Sequence, residues 1–310
     1  MKKIIILRST GGELANQLWN YASVYAYCLE RGAALENPAF YEYGNYFTAP
    51  APNLFLKLCF FLPFTDYTKR KQSFKRRLWR KLYGLYAVSV IFAHKDTVIV
   101  SDNKDNRPFY LPPTRENARL SEIEKENDVL YFDGWLFRNP VGLEKFRKEV
   151  VTYLRPRQDT ERAVEKQMQD LRSKFANVVG VHIRQGDYKT WRGGAFSIPQ
   201  TRVREIFNEY LKINGLNVIE TCFTITSDGP IDESLFSGLK VVISKDSAVH
   251  DLFLLSKTDV IIGSNSTFGA FASYYGNIPF IVMQKDSMDW EYYSGKEAYS
   301  ENKYSTFVHY

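Results

Sequence analysis

The segment Val179-Gly180-Val181-His182-Ile183-Arg184-Gln185-Gly186-Asp187-Tyr188 passes from an apolar run straight into a histidine, an arginine and an aspartate. A parallel strand delivers side chains to a crevice in this way, at its C-terminal end. Placed there, Arg184 can offer its five guanidinium donors to a diphosphate, and Asp187, three residues on, can hold the guanidinium in orientation. Taken alone, Arg184 and Asp187 fit equally well a surface ion pair beyond a core strand.

A second apolar run, Asp259-Val260-Ile261-Ile262, leads into Gly263-Ser264-Asn265-Ser266-Thr267-Phe268-Gly269. Ser264, Asn265, Ser266 and Thr267 are all good N-cap residues, so a helix is expected to start here. Its free N–H groups and positive dipole end suit a phosphate. Caps of this kind are also common without a ligand. One cationic strand end and one rich in hydroxyls together favour a nucleotide-sugar diphosphate. A third unit opens the chain: Lys3-Ile4-Ile5-Ile6-Leu7, then a loop with Gly11 and Gly12, then a helical run that includes Trp19 and Tyr21. Glycines there let backbone approach a ligand. The spacing matches neither a P-loop nor the three-glycine dinucleotide fingerprint, and a tight turn into a core helix is the plain alternative.

The elements that must carry these loops are legible from periodicity. Beyond residue 157 helix and strand alternate: helix 158–175, strand 178–184, helix 199–214, strands 220–227 and 239–243, helix 247–256, strand 259–262, helix 266–276 and a short strand 278–283. Alternation of this kind means a doubly wound parallel sheet. The first half reads as strand and helix over the first 30 residues and an irregular aromatic stretch over 33–63. Possible edge strands follow near 97–100 and 128–132, then a helix over 142–154. Arg155-Pro156-Arg157 marks a boundary. A length of 310 residues suits two α/β domains of roughly 150 each, with a cleft.

In order and spacing the three loops resemble the alpha-1,2-fucosyltransferases of glycosyltransferase family 11, and more distantly the alpha-1,6- and protein O-fucosyltransferases. The family's Gly-Gly-Leu-Gly-Asn-Gln loop corresponds to Gly12 to Gln17, its His-x-Arg-Arg-x-Asp-Tyr motif to His182 to Tyr188, and its Asn-Ser-Thr-Phe to Asn265 to Phe268. Phe132-Asp133-Gly134-Trp135 and Phe223-Thr224-Ile225-Thr226-Ser227-Asp228 are similar to two lesser segments of the family. Glu13 and Ala15 stand where the family usually has glycines, and Gln185 replaces the second arginine. The chain is therefore read as a divergent member.

The resemblance implies a GT-B-like α/β fold of two Rossmann-type domains facing a cleft. Residues 1–156, with the basic segment 69–86, would form the acceptor-side domain, and 157–285 the GDP-sugar-binding domain. A tail, 286–310, would pack back across both. It further implies inverting transfer of L-fucose from GDP-fucose to a glycan hydroxyl, without metal or cofactor. Arg184 would hold the β-phosphate, Asp187 would orient it, and Ser266, Thr267, Phe268 and Asn265 would complete the diphosphate cradle. Gly12 and Asn16 would close that cradle from the first domain. His182 and Asp251 would face the guanine, with Asp228 a weaker ribose or base contact. Glu13 is a candidate general base, and a solvated glutamate is the alternative. A relative using another GDP-sugar such as GDP-mannose, or a non-catalytic sugar-binding or membrane-adaptor protein, also fits these residues.

Charge is local. Lys69, Arg70, Lys71, Lys75, Arg76, Arg77, Arg80 and Lys81 carry eight positive charges, whereas the net charge is +6, so the remainder is slightly acidic. On a helix Phe74, Leu78, Leu82 and Leu85 share one face, flanked by Trp79, Tyr83 and Tyr86. This is the pattern of a basic interfacial helix on an anionic membrane, or of a solvated basic face over a core stripe. No nucleic-acid recognition pattern accompanies the patch. No run of about 18 apolar residues and no secretory leader is present, so a cytoplasmic protein, peripheral on the inner membrane face at most, is expected. Cys28, Cys59 and Cys222 have neither disulfide nor zinc spacing.

Overall fold

A computed structural model of the chain describes residues 2–9, 13–49, 74–93, 99–101, 108–111 and 119–294. They fall into two compact units, one ending at Arg157 and the other beginning at Gln158.

In the first unit β1 (Lys3–Arg8) is a β-branched run that sits inside a parallel sheet, as such runs do when helices cover both faces. It leads to α1 (Leu14–Arg31), whose residues Leu14, Leu18, Trp19, Tyr21 and Ala22 are buried. Gly32, in the left-handed region at φ 61°, ends the helix. β2 (Ala34–Glu36) follows, then α2 (Phe74–Ala93), β3 (Ile99–Ser101), β4 (Phe109–Tyr110), α3 (Arg119–Glu126), β5 (Val129–Asp133), β6 (Phe137–Arg138), α4 (Pro140–Lys145) and α5 (Arg147–Tyr153). The sheet order is β2-β1-β5-β3, and β4 pairs with β6. β5 is thus an interior strand, not an edge: Leu130 and Phe132 are buried, and it bonds to β1 on one side and β3 on the other. The helix expected over 142–154 is two short ones, interrupted at Phe146. Part of the stretch 33–63 is ordered as β2 and two 3₁₀ turns; residues 50–63 lie outside the described residues, as do 69–73 and 97–98.

The second unit starts with α6 (Gln158–Arg172) and β7 (Asn177–Ile183), then α7 (Gln200–Ile213), β8 (Thr221–Ser227), β9 (Lys240–Ile243), α8 (Ala248–Leu255), β10 (Val260–Gly263), α9 (Thr267–Gly276), β11 (Phe280–Val282) and α10 (Trp290–Ser294). The sheet is fully parallel in the order β11-β10-β7-β8-β9. The chain reverses direction of growth between β7 and β10, and ligands of open α/β sheets bind outside the carboxyl ends of strands at such a switch. Alternation along β7 sends Val179, Val181 and Ile183 to a core with Val203, Ile206 and Phe207 of α7. Val178 goes to the opposite face with Met168, Leu171 and Leu254. Phe207 stacks on Phe223 at 4.1 Å, and burying each such ring contributes about 1.5–3 kcal/mol. Gly180 must be glycine, because a Cβ there would lie 2.6 Å from Thr258 Oγ1 and 3.0 Å from Leu255 of α8.

The described part of the tail, 286–294, packs on this unit. Trp290 donates to Glu209 at 2.7 Å and Tyr293 joins the core; residues 295–310 lie outside the described residues. Cys28 and Cys222 are buried and free, and Cys59 lies outside the described residues.

Candidate functional site

Three strand ends of the second unit converge on Arg184. Its backbone N–H donates to the Ser264 hydroxyl at 3.0 Å, which ties the exit of β7 to the exit of β10. Its guanidinium is gripped from two sides. Nε and Nη2 donate to Asp187 Oδ1, both at 2.9 Å, and Nη1 pairs with Asp228 Oδ2 at 3.1 Å. A guanidinium has five N–H groups, so two remain for a further acceptor. Tyr188 lies beneath it, with the guanidinium carbon 5.8 Å from the ring centroid, and the tyrosine hydroxyl donates to the Asn265 carbonyl.

Asp228, at the end of β8, organises the loop as well as the arginine. Its carboxylate accepts from the backbone N–H of Gln185 at 2.6 Å and of Gly186 at 3.2 Å. A Cβ on Gly186 would lie 2.6 Å from Asp228 Oδ2, so glycine is required for this approach. Burial alone would raise the Asp228 carboxyl, but the Gln185 and Gly186 N–H groups and the Arg184 charge outweigh it and hold it below the ordinary carboxylate value. These bonds make Asp228 a positioning residue for the loop and for Arg184. Gln185, in place of the second arginine, turns into the fold. It donates to Ser227 at 3.0 Å and Pro230 at 2.8 Å, and its oxygen accepts from Gln200.

His182 lies on the face of β7 that looks toward α9, 4% exposed and stacked on Phe268 at 4.5 Å. Thr226, its register partner on β8, spends its one hydroxyl proton on the Val181 carbonyl. The 3.3 Å contact between Thr226 and His182 Nδ1 must therefore be donated by the ring. Nε2 is left a buried bare acceptor without a partner. Burial, aided by the Arg184 charge and opposed by Asp228, pushes this histidine down to about 3. The ring is neutral at physiological pH, and such an acceptor suits an N–H donor on a ligand.

This depression has a measurable sign. Between about 6.5, the ordinary value, and 3, the folded chain binds fewer protons at His182 than the unfolded chain does. Stability is therefore full above about pH 6.5 and falls as pH drops, by up to ~1.4 kcal/mol per unit. Urea unfolding at pH 7, 6 and 5 is expected to show that slope in wild type and a flatter one in His182→Gln. Equal slopes would remove the buried neutral histidine from the account.

At the head of α9, Ser266 caps the helix by accepting from the Phe268 N–H at 3.3 Å, and Thr267 is 8% exposed. Asn265 contributes its carbonyl to Tyr188. Asp251 sits in the first turn of α8, 8% exposed, accepting from the Ser244 hydroxyl; burial raises its carboxyl in spite of Ser244 and His250. The roles of Thr226 and Tyr188 were not foreseen. The only sequence signal for Thr226 was its place in the strand that ends at Asp228.

The remaining candidates belong to the first unit. Glu13 stands immediately before α1, half-buried, and accepts from the Tyr43 hydroxyl at 2.9 Å. Asn16 lies in the first turn of α1, and Gly12 lies outside the described residues. Asp133, from the lesser segment Phe132-Asp133-Gly134-Trp135, pairs with Arg8 across the ends of β1 and β5, a contact the sequence did not show, and Asn20 holds the next loop through Gly134 and Phe137. Among the described residues no cluster of His, Cys, Asp or Glu is arranged to hold a metal ion.

Two parallel α/β sheets, the second doubly wound with a charged switch point, define the GT-B type of fold found in fucosyltransferases. The chain is similar in structure to an arginine-to-lysine mutant of Arabidopsis thaliana FUT1 solved in complex with GDP, at TM-score 0.53 and 14% identity, covering 92% of this chain and 71% of that one. It is also similar to NodZ alpha-1,6-fucosyltransferase soaked with GDP-fucose, at TM-score 0.52 and 15% identity over 93% and 97% of the two chains. A further structure of the fucosyltransferase NodZ, from Bradyrhizobium, gives TM-score 0.52 at 16% identity over 91% and 95%. No family model and no curated protein matches the sequence.

Proposed function

We propose that this chain is an inverting fucosyltransferase that moves L-fucose from GDP-fucose to a hydroxyl of a glycan acceptor, in the manner of the alpha-1,2-fucosyltransferases. The observation that carries the reading is the Arg184 guanidinium, fixed by Asp187 and Asp228 at the switch point, with two N–H groups to spare. The acceptor oxygen attacks the anomeric carbon from the face opposite the nucleotide, the bond to the β-phosphate oxygen breaks, and its electron pair stays on GDP. Arg184 and the N–H groups heading α9 neutralise that charge, which is electrostatic leaving-group catalysis. His182 Nε2 accepts from a guanine N–H, with Asp251 as a second base contact, and Asn265, Ser266, Thr267 and Phe268 line the diphosphate. The resemblance supports Gly12, Asn16 and Glu13 as the first unit's candidates, with Glu13 as the general base.

Gln185 favours keeping a second reading, a transferase for another GDP-sugar, because its inward side chain leaves this motif one guanidinium where the resembled family has two. Titration calorimetry with GDP, GDP-fucose, GDP-mannose and UDP-galactose separates them. Guanine nucleotides are expected to bind at least tenfold more tightly than UDP-galactose, with fucose preferred over mannose. Mannose preference would select the second reading, and no guanine-nucleotide binding would overturn both.

A further inference from the structure

Helix α2 shows to the outside what a helix in a water-soluble domain buries. Phe74 is 72% exposed, Leu85 69% and Phe92 83%, and Leu78, Leu82 and Val88 are exposed as well. At about 100° per residue these six side chains fall in one band roughly 120° wide. The opposite side of the helix is the one that holds it to the first unit. There Tyr83 and Ala87 are buried, Tyr83 donates its hydroxyl to the Leu7 carbonyl of β1 and packs on Tyr41, and Arg80 is bridged to Glu42 at 2.6 Å. The sequence placed Tyr83 beside the apolar stripe; it lies across the helix from it and anchors it.

The charge of this segment is of one sign. From Lys69 to Lys95 there is no aspartate or glutamate, and eight lysines and arginines fall between 69 and 81. Arg77 and Lys81 are exposed, Lys81 within the apolar band and Arg77 at its margin. Among the described residues no helix is long and apolar enough to cross a membrane, α2 included.

We propose that the outer face of α2 is a docking surface for an anionic lipid bilayer. The helix lies in the plane of the membrane, its six apolar side chains in the boundary between headgroups and acyl chains and its basic side chains on lipid phosphates. Charge complementarity selects this occupant. A second copy of the chain would bring the exposed Arg77 and Lys81, in a segment that holds no carboxylate from 69 to 95, against themselves. A nucleic acid would use the cations and leave the aliphatic stripe in water. A bilayer satisfies both faces of the pattern, and snorkelling lets Lys81 reach a headgroup from within the apolar band.

The test is flotation of the full chain with vesicles of phosphatidylcholine alone, or of phosphatidylcholine with phosphatidylglycerol, at low and high salt. Wild type is expected to float with the anionic vesicles at low salt and not with the neutral ones. Leu82→Glu with Leu85→Glu, and separately Arg77→Glu with Lys81→Glu, are each expected to lower the bound fraction tenfold or more. All four side chains are exposed, so melting temperature and GDP affinity should match wild type, and a failure here stays distinct from a failure of the proposed reaction. Wild type that ignores anionic vesicles, or double variants that bind as well as wild type, overturn the proposal. So does a stripe whose mutation abolishes self-association or polynucleotide binding while vesicle binding is absent.

Discussion

If the proposed reaction holds, Arg184→Ala is expected to lower fucosyl transfer by about a thousandfold, on the scale of removing a preorganised donor from a developing anion, and to weaken GDP binding by roughly tenfold to a hundredfold. The fold should survive the change. Asp187 has a side chain 60% exposed and returns to water when its partner is lost, while Asp228 keeps its two backbone donors. Arg184→Lys separates charge from shape. A lysine places a point charge without the planar fork that makes three bonds to Asp187 and Asp228 at once, so partial GDP affinity with most of the rate lost is expected. GDP release by the purified variants, beside a thermal melt, decides the matter. An alanine variant with near wild-type turnover would remove Arg184 from the reaction.

The second unit was nearly written out in the sequence, and for a physical reason. Its inner strands β7, β8 and β10 are short apolar runs rich in β-branched residues and buried on both faces, and they are closed by residues that cannot continue them, such as Gly263-Ser264 after β10 and Asp228-Gly229-Pro230 after β8. The first unit was less legible because its pieces are small or ambiguous. β4 and β6 are pairs of residues that no periodicity can show, and α3 is short and polar. β5 reads in the sequence only as a possible edge strand, because its pairing with β1 and β3, which makes it interior, joins segments far apart in the chain.

The site divides in the same way. Arg184 and Asp187 are three residues apart, so their pairing could be foreseen from spacing. The grip of Asp228 on the Gln185 and Gly186 N–H groups spans more than forty residues and depends on β8 lying beside β7. The proton on His182 is likewise set by a neighbouring strand, through Thr226. Gln185 was legible as a departure from the resembled family. What the sequence could not show is that its amide joins Ser227, Pro230 and Gln200 under the loop, so the lost arginine is exchanged for a latch.

That architecture makes Asp228 the residue on which loop and arginine jointly depend, and Asp228→Ala is expected to cost about 2–4 kcal/mol of stability. Two backbone N–H groups and one face of the guanidinium lose their acceptor together, in a setting where the Asp228 side chain is only 24% exposed. For a unit of this size the melting temperature should fall by roughly 5–12 °C. The sign with pH follows from the depressed carboxyl. Its contribution is complete above the unfolded value of about 3.9 and is lost as pH falls through the lower folded value. The gap between wild type and Asp228→Asn should therefore hold from neutrality to about pH 5 and close below about pH 4. On the proposed reaction, activity should fall mainly in kcat, because a loosened Arg184 would still attract the diphosphate but would no longer wait in place for the charge that develops on it. Asp187→Ala, removing the exposed partner, should cost well under half as much in stability. If the two alanine variants melt alike, the loop is not held through Asp228, and the orientation of Arg184 would have to come from the Ser264 bond and Tyr188 alone.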